Sequence, residues 1–412
     1  MLSANIKIQT HIQGIRENLI TNPKSKRKFV LYGLFAFIYC LLNVYLGLRG
    51  WQAFSTQLNL PVYLILLTGL MLVMPVAAFL LDQGREVKAF PKFIAYTGFY
   101  WTAFFMYSVI LMISVDIFQT LNRFSNDTLF SILPDGFKIS RQEGVWLVIA
   151  ASLILLGVGT WLARRPRLTH YQLQVAKVMP NAKPLKIALL SDIHYGSMVS
   201  TANLKTLCRT VMAQRPDLIL LAGDLIDNSL DLIRETDFVR HMSGLQAPLG
   251  VFAVLGNHEL VNADVQETVD FFASAGIRVL LDETVNIDDQ LVLVGRNESR
   301  TAFSGPLDQM APQMFMAGLD NSKPVIVMQH QPAELALLAD AGADLAVAGH
   351  THAGQLFPLN LLHRRHFEQT GPYRSIDGLH SIISDGYGTW GPPIRVGSRS
   401  EIVIIGLTGE SA

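Results

Sequence analysis

Five short clusters hold the residue types of a metal-assisted reaction: Asp192 with His194, Asp224 with Asp227, Asn257 with His258, His330 between two glutamines, and His350 with His352. Carboxylate and amide oxygens beside neutral imidazoles, with no thiolate among them, suit divalent manganese, iron or zinc better than a soft metal. Two residues apart on an extended chain, Asp192 and His194 are expected to project to one side, as are His350 and His352, so each pair can reach one cluster. Glycines beside Asp224, Asn257 and His350 permit tight turns and a close approach of backbone to an anion. Any one of these motifs occurs by chance; five in order do not. The two cysteines, Cys40 and Cys208, stand in dissimilar surroundings and read as packing residues, with no CxxC motif.

Positioning these groups is the work of short apolar runs that alternate with longer amphipathic stretches, the βαβ rhythm. Strands are expected at Lys186–Leu190, Leu218–Leu221, Val251–Leu255, Arg278–Leu280, Leu291–Val294, Pro324–Met328 and Leu345–Ala348, with helices at Thr201–Arg215, Asp231–Met242 and Val265–Ala275. Each cluster falls just beyond a strand, the rim where open α/β sheets bind ligands.

The ordered set DIH, GDLID, GNHE, HQP and GHTHAGQ over residues 170–412 resembles the calcineurin-like metallophosphoesterase superfamily. That resemblance implies two mixed sheets flanked by helices, a four-layer αββα sandwich, and two divalent cations. It implies that Asp192, His194 and His352 bind one metal, that Asp224 bridges to the second, and that Asn257, His330 and His350 complete the second. His258 matches the catalytic histidine and not a ligand. The stretch Asp385–Arg395 resembles a bacterial subgroup with membrane-associated N-termini, which makes Arg395 a candidate phosphate contact. One departure narrows the class: protein phosphatases of the superfamily carry arginine after the second aspartate of GDxxD, and here Asp227 precedes Asn228.

The 412 residues conceal two unlike halves behind a formal net charge of +0. Residues 1–169 carry 16 Lys+Arg against 7 Asp+Glu, whereas 170–412 carry 17 against 26 and ten of the eleven histidines. An acidic, histidine-rich half argues against a nucleic-acid partner and for bound cations. Four uncharged runs, Phe29–Leu48, Val62–Leu81, Phe93–Val115 and Gly144–Ala163, are each long enough to cross a bilayer, which takes about 20 apolar residues. The expected organisation is a basic segment 1–28, with Ile8, Ile12, Ile15 and Leu19 at helical spacing, then a four-span region 29–163 and a catalytic domain 168–412. Twelve Lys and Arg flank one side of the spans and four the other, which places both ends and the catalytic domain in the cytoplasm, at a bacterial inner membrane. Spans without Asp, Glu, Lys, Arg or His argue against a transport pathway.

The expected function is hydrolysis of a phosphodiester or pyrophosphate, on a lipid-linked or amphiphilic substrate, because only about four residues separate the last span from the domain. Membrane lipids are the expected partners. The rivals are an esterase for soluble nucleotides or phosphoesters, and a non-catalytic metal-binding scaffold or membrane sensor.

Overall fold

The computed structural model describes residues 23–82, 89–124, 140–179, 183–196, 199–227, 229–298, 300–301, 305–306, 309–320, 322–363, 369 and 371–410. Asn228 and the expected amphipathic segment near Ile8 lie outside these residues.

Among the described residues four helices come first: α1 (Pro23–Phe54), α2 (Leu60–Asp82), α3 (Ala89–Phe124) and α4 (Arg141–Arg164). Three are long and apolar enough to cross a membrane, over Gly33–Phe54, Tyr96–Asn122 and Arg141–Arg164, where the sequence led us to expect four. The difference is one of length. The apolar helix of α2 runs over Leu60–Val73, and the side chains that would extend it lie outside the described residues. Arg49, just past the first apolar run, pairs with Asp116 on α3 at 2.7 Å, so two charges set at the ends of apolar stretches neutralise each other. The chain divides into two compact units, the described residues up to Val76 with Trp101–Leu153, and those of Ala77–Tyr100 with Ile154–Ala412.

In the second unit, two six-stranded mixed sheets stack face to face. One has the order β1 (Arg167–Val178), β14 (Glu401–Glu410), β2 (Leu185–Leu190), β3 (Leu218–Ala222), β4 (Val251–Val254), β5 (Arg278–Val279). The other has β12 (Tyr373–Ile376), β13 (Leu379–Ile383), β11 (Leu345–Ala348), β10 (Val325–Met328), β7 (Leu291–Gly295), β6 (Glu283–Ile287). Side-chain alternation explains the layers. Leu185, Ile187 and Leu189 of β2 and Leu218, Leu220 and Ala222 of β3 enter the core between the sheets, with Ile326, Met328, Leu345 and Val347 opposite. Their neighbours Ala188, Leu190, Ile219 and Leu221 face outward onto α5 (Thr201–Ala213) and α9 (Val265–Ser274). Strands buried on both faces read as continuous apolar runs, and each such side chain contributes about 1.5–3 kcal/mol. A third core on the outer face of the second sheet completes the αββα sandwich. Apart from the two sheets, β8 (Arg300–Thr301) pairs with β9 (Gly305–Pro306), and α8 (Asn257–Asn262) follows β4.

The helix expected over Asp231–Met242 is two short ones, α6 (Leu230–Arg234) and α7 (Phe238–Met242). Thr236 separates them: its hydroxyl donates to Ile233 O at 2.6 Å and accepts from Phe238 N–H, taking bonds a continuous helix would make along its backbone.

Candidate metal centre

Strands β2, β3 and β4 are mutually parallel, as are β7, β10, β11 and β13. Their carboxyl ends deliver all five clusters to one rim shared by both sheets. His330 after β10 crosses to the other sheet, its Nδ1 2.8 Å from Ala222 O, and the His350 N–H donates to Asp192 Oδ2 at 2.9 Å. Close packing at this seam demands glycine: a Cβ on Gly256 would collide with Asp224, and one on Gly349 with Ser191 and Asp192.

The ligand candidates do not lie on extended chain, as the alternation argument assumed. Asp192, His194, Asp224, His350 and His352 all have φ between 47° and 68°, in the left-handed region. The strands end before these residues and the chain turns sharply. Asp192 and His194 still reach one group, whereas His350 and His352, expected to reach one cluster, fall in different groups, His350 with Asp224 and His330, and His352 with Asp192 and His194. Left-handed backbone costs a non-glycine residue roughly 1–2 kcal/mol, strain held at the site and supported by the packed sheets behind it.

Among the described residues three groups offer ligand atoms within 4.8 Å of one another: Asp192, His194 and His352; His194, Asp224 and His258; Asp224, His330 and His350. His194 Nε2 faces His352 Nε2 at 3.1 Å, and His330 Nε2 lies 3.2 Å from each of His350 Nδ1, Asp224 Oδ2 and Asn257 Oδ1. Nitrogens and oxygens whose lone pairs converge so closely in a buried place fit shared cations, and the nitrogen and oxygen donors suit divalent ones. All seven expected ligands therefore meet, with Asp224 between the two outer groups.

Electrostatics agrees with that use. Burial alone would raise Asp224, but His330, His194 and His258 outweigh it and hold the carboxyl well below the usual range. Burial, His194 and Arg395 hold His352 well below an ordinary imidazole, the neutral form that ligates. Asp192 is carried to about 6, chiefly by burial.

His258 stands at the open side, its side chain 21% exposed, with Nδ1 2.7 Å from Asp227 Oδ1. Burial works against its proton, yet the Asp227 hydrogen bond and the Asp224 charge carry it up to about 9. Asp227 also reaches His194 Nδ1 at 3.3 Å, so one carboxylate orients both rings. A proton-loaded histidine on the solvent side fits a general acid. His258→Ala is expected to slow turnover by about 10²–10⁴ while metal content, read by plasma mass spectrometry, stays near wild type. Asp227→Asn removes the charge that retains the proton, so the alkaline limb of kcat against pH moves to lower pH. Loss of metal in His258→Ala, or an unmoved limb in Asp227→Asn, would overturn these roles.

Arg395, expected at the phosphate, is fully buried. Its Nη2 donates to Gly386 O and Gly388 O at 3.0 and 2.6 Å and lies 3.1 Å from His352 Nδ1. Behind the His352 ring, with its donors committed to carbonyls, the guanidinium has no surface left for substrate. Glu259 carries weight that the sequence reading did not assign. Its buried carboxylate accepts from the N–H groups of Asp224, Leu225, Ile226 and Gly256 at 2.6–3.0 Å, binding the β3 and β4 rim loops together. The sequence signal was the glutamate that closes GNHE, directly after His258.

Comparison with known proteins places these residues in company. The model of the calcineurin-like phosphoesterase family matches residues 185–354. An uncharacterised metallophosphoesterase of Aquifex aeolicus is 32% identical over 250 residues, 59% of this chain and 92% of the relative. A transmembrane protein with metallophosphoesterase domain from Bos taurus is 32% identical over 282 residues, 64% of this chain and 62% of the relative. An uncharacterised metallophosphoesterase of Helicobacter pylori strain J99 is 28% identical over 391 residues, 90% of this chain and 97% of the relative. Among solved structures, a dimetal phosphatase from Danio rerio aligns with 16% identity and a TM-score of 0.34, covering 54% of this chain and 99% of that one.

Proposed function

The chain belongs to the calcineurin-like phosphoesterase family, and we propose that within it this metal-dependent phosphoester hydrolase cleaves a phosphodiester or pyrophosphate of a lipid-linked or amphiphilic substrate at the cytoplasmic leaflet. The observation that supports this reading is continuity: α4, the last apolar helix, ends at Arg164, and β1 of the catalytic sheet starts at Arg167. A catalytic rim tied so closely to a span works within reach of headgroups.

Two divalent cations, manganese, iron or zinc, would be held by Asp192, His194 and His352 on one side and Asn257, His330 and His350 on the other, with Asp224 between; bound there, they supply Lewis-acid charge to the phosphoryl oxygens and acidify the attacking water. The remaining work falls to the protein. Asp227 holds the His258 ring through Nδ1. The His258 Nε2–H, 4.0 Å from Asp224 Oδ2, can then pass a proton to the departing oxygen, which spares the leaving group a full negative charge. Arg395 buttresses His352 from behind, and Glu259 fixes the loops that carry Asp224 and Asn257.

The test compares full-length protein with manganese in bilayers and in detergent, on paired lipid-bearing and soluble phosphodiesters and pyrophosphates. The expected result is a higher kcat/KM for the lipid-bearing member of a pair in bilayers. Equal values throughout would favour the soluble-ester rival, and inactivity with metals bound would favour the scaffold. Orientation is checked separately: a cysteine at Ser55 in a Cys40→Ser, Cys208→Ser background is expected to react with an impermeant thiol reagent in intact cells.

A further inference from the structure

A cavity of about 320 Å³ lies within the catalytic unit, bounded by Tyr96 on α3, Ala163 and Arg164 on α4, Ser200 and Asn203 at the start of α5, and Thr389 of the loop after β13. The metal centre is on the other side of one strand of chain. Tyr387 and Gly388, which also line the cavity, donate their N–H groups to Ser191 O and Asp192 O at 3.0 and 2.7 Å. The wall formed by this loop is pinned to α4: Arg395 N–H donates to Gly159 O at 2.9 Å, and the Ser400 hydroxyl to Ala163 O at 2.7 Å.

The level of the cavity is marked by its own residues. Tyr96 opens one membrane-spanning stretch and Arg164 closes another. Trp161 and Trp390 are 54% and 61% exposed nearby in the chain, and the Arg399 guanidinium lies over the Trp161 ring. Exposed tryptophans, tyrosine and arginines at the ends of apolar helices mark the headgroup layer. What the cavity offers there is one guanidinium with phenol, hydroxyl and amide groups, and none of its described lining residues is a carboxylate. A guanidinium with neutral donors around it matches the oxygens of a phosphate group.

We propose that this cavity binds the phosphodiester headgroup of an anionic phospholipid, its acyl chains leaving past the part of α3 up to Tyr100 and the part of α4 from Ile154, at a site separate from the metal centre. The proposal rests on the membrane reading of the helices and not on the hydrolytic chemistry. Arg164 supplies the charge, and Tyr96, the Asn203 amide and Thr389 supply polar partners for the phosphate and glycerol oxygens, while the Ser200 hydroxyl is held by Asn203 as the helix cap.

The test is native mass spectrometry of the full-length protein, released from uncharged detergent micelles after titration with phosphatidylglycerol. One saturable lipid is expected. Arg164→Gln, at an exposed position, is expected to weaken it about tenfold, the effect of losing one charge-assisted contact. Ala163→Phe fills the space and is expected to abolish binding. Arg165→Gln removes a neighbouring charge that does not line the cavity and is expected to leave binding intact. Displacement by equimolar glycerol 3-phosphate would keep the phosphate site and assign it to a soluble ligand. Absence of saturable binding in the unaltered protein, or equal weakening by Arg165→Gln and Arg164→Gln, overturns the proposal. Because binding is read without turnover, a protein inactive on every ester still answers the question.

Discussion

Replacing Asp224 by Asn is expected to strip most of the bound metal and to lower kcat/KM by at least about a hundredfold, with the fold retained. The carboxylate is nearly isosteric with the amide, but it is the anion at the middle of the cluster. Its Oδ2 lies 3.2 Å from His330 Nε2, 3.8 Å from His194 Nε2 and 4.0 Å from His258 Nε2. One substitution therefore weakens both outer ligand groups at once, and turns a donor N–H₂ or a weaker carbonyl toward atoms that should face a cation. Its depressed pKa adds a pH signature in the metal-free protein. A carboxyl held below its unfolded value stabilises the fold above about pH 4, and that stability is lost as pH falls through the folded pKa. Asp224→Asn should flatten that acid limb, measured as Tm against pH. Wild-type metal content together with wild-type turnover in this variant would remove Asp224 from the centre.

The second large effect is expected at Glu259, where Ala should destabilise the domain by about 3–5 kcal/mol, the range for uncovering buried charge-assisted bonds. Four backbone N–H donors lose their acceptor in a place without solvent, and two rim loops lose their common tie. In a domain of this size each kcal/mol moves Tm by about 2–4 °C, so calorimetry should register a fall of about 10 °C. Glu259→Gln retains one acceptor oxygen and should fall between Ala and wild type. A Tm for Glu259→Ala within about 2 °C of wild type would show that the loops are held by other means.

The site was more legible in the sequence than the frame around it. Asp192, His194, Asp224, Asn257, His330, His350 and His352 announce themselves by type and by their place after apolar runs, since β2, β3, β4, β10 and β11 are buried on both faces. Strand β1 is different. Its burial alternates unevenly, with Leu173 and Val175 inside and charged or polar neighbours outside, so the residues after the last apolar helix carry no strong periodic signal. Strands β12 and β14 also went unread, the first largely exposed and the second following a long irregular loop. Left-handed backbone at the candidate ligands leaves no mark in residue type either, because none of those positions is glycine. Arg395 shows the opposite failure. The resemblance of the Asp385–Arg395 stretch to a bacterial subgroup suggested an anion contact, whereas burial commits its donors to carbonyl oxygens. Burial of a long cation is decided by tertiary packing, which no local pattern records.

The partnership of β1 with β14 governs how the protein can be made. Arg167 pairs with Glu401 in a parallel register, 234 residues apart by the spacing of their ion pair, and among the described residues β1 has no other neighbour in its sheet. At a synthesis rate of about 5–20 residues per second, the strand that leaves the membrane waits roughly ten to fifty seconds for its partner. During that interval its backbone is an open edge held at the bilayer surface, while β2, β3 and β4 can already associate. Closure of the first sheet is thus the late and slow step, as expected for pairings of high sequence separation. The apolar helices, which precede it in the chain, can be in the membrane before the catalytic rim exists.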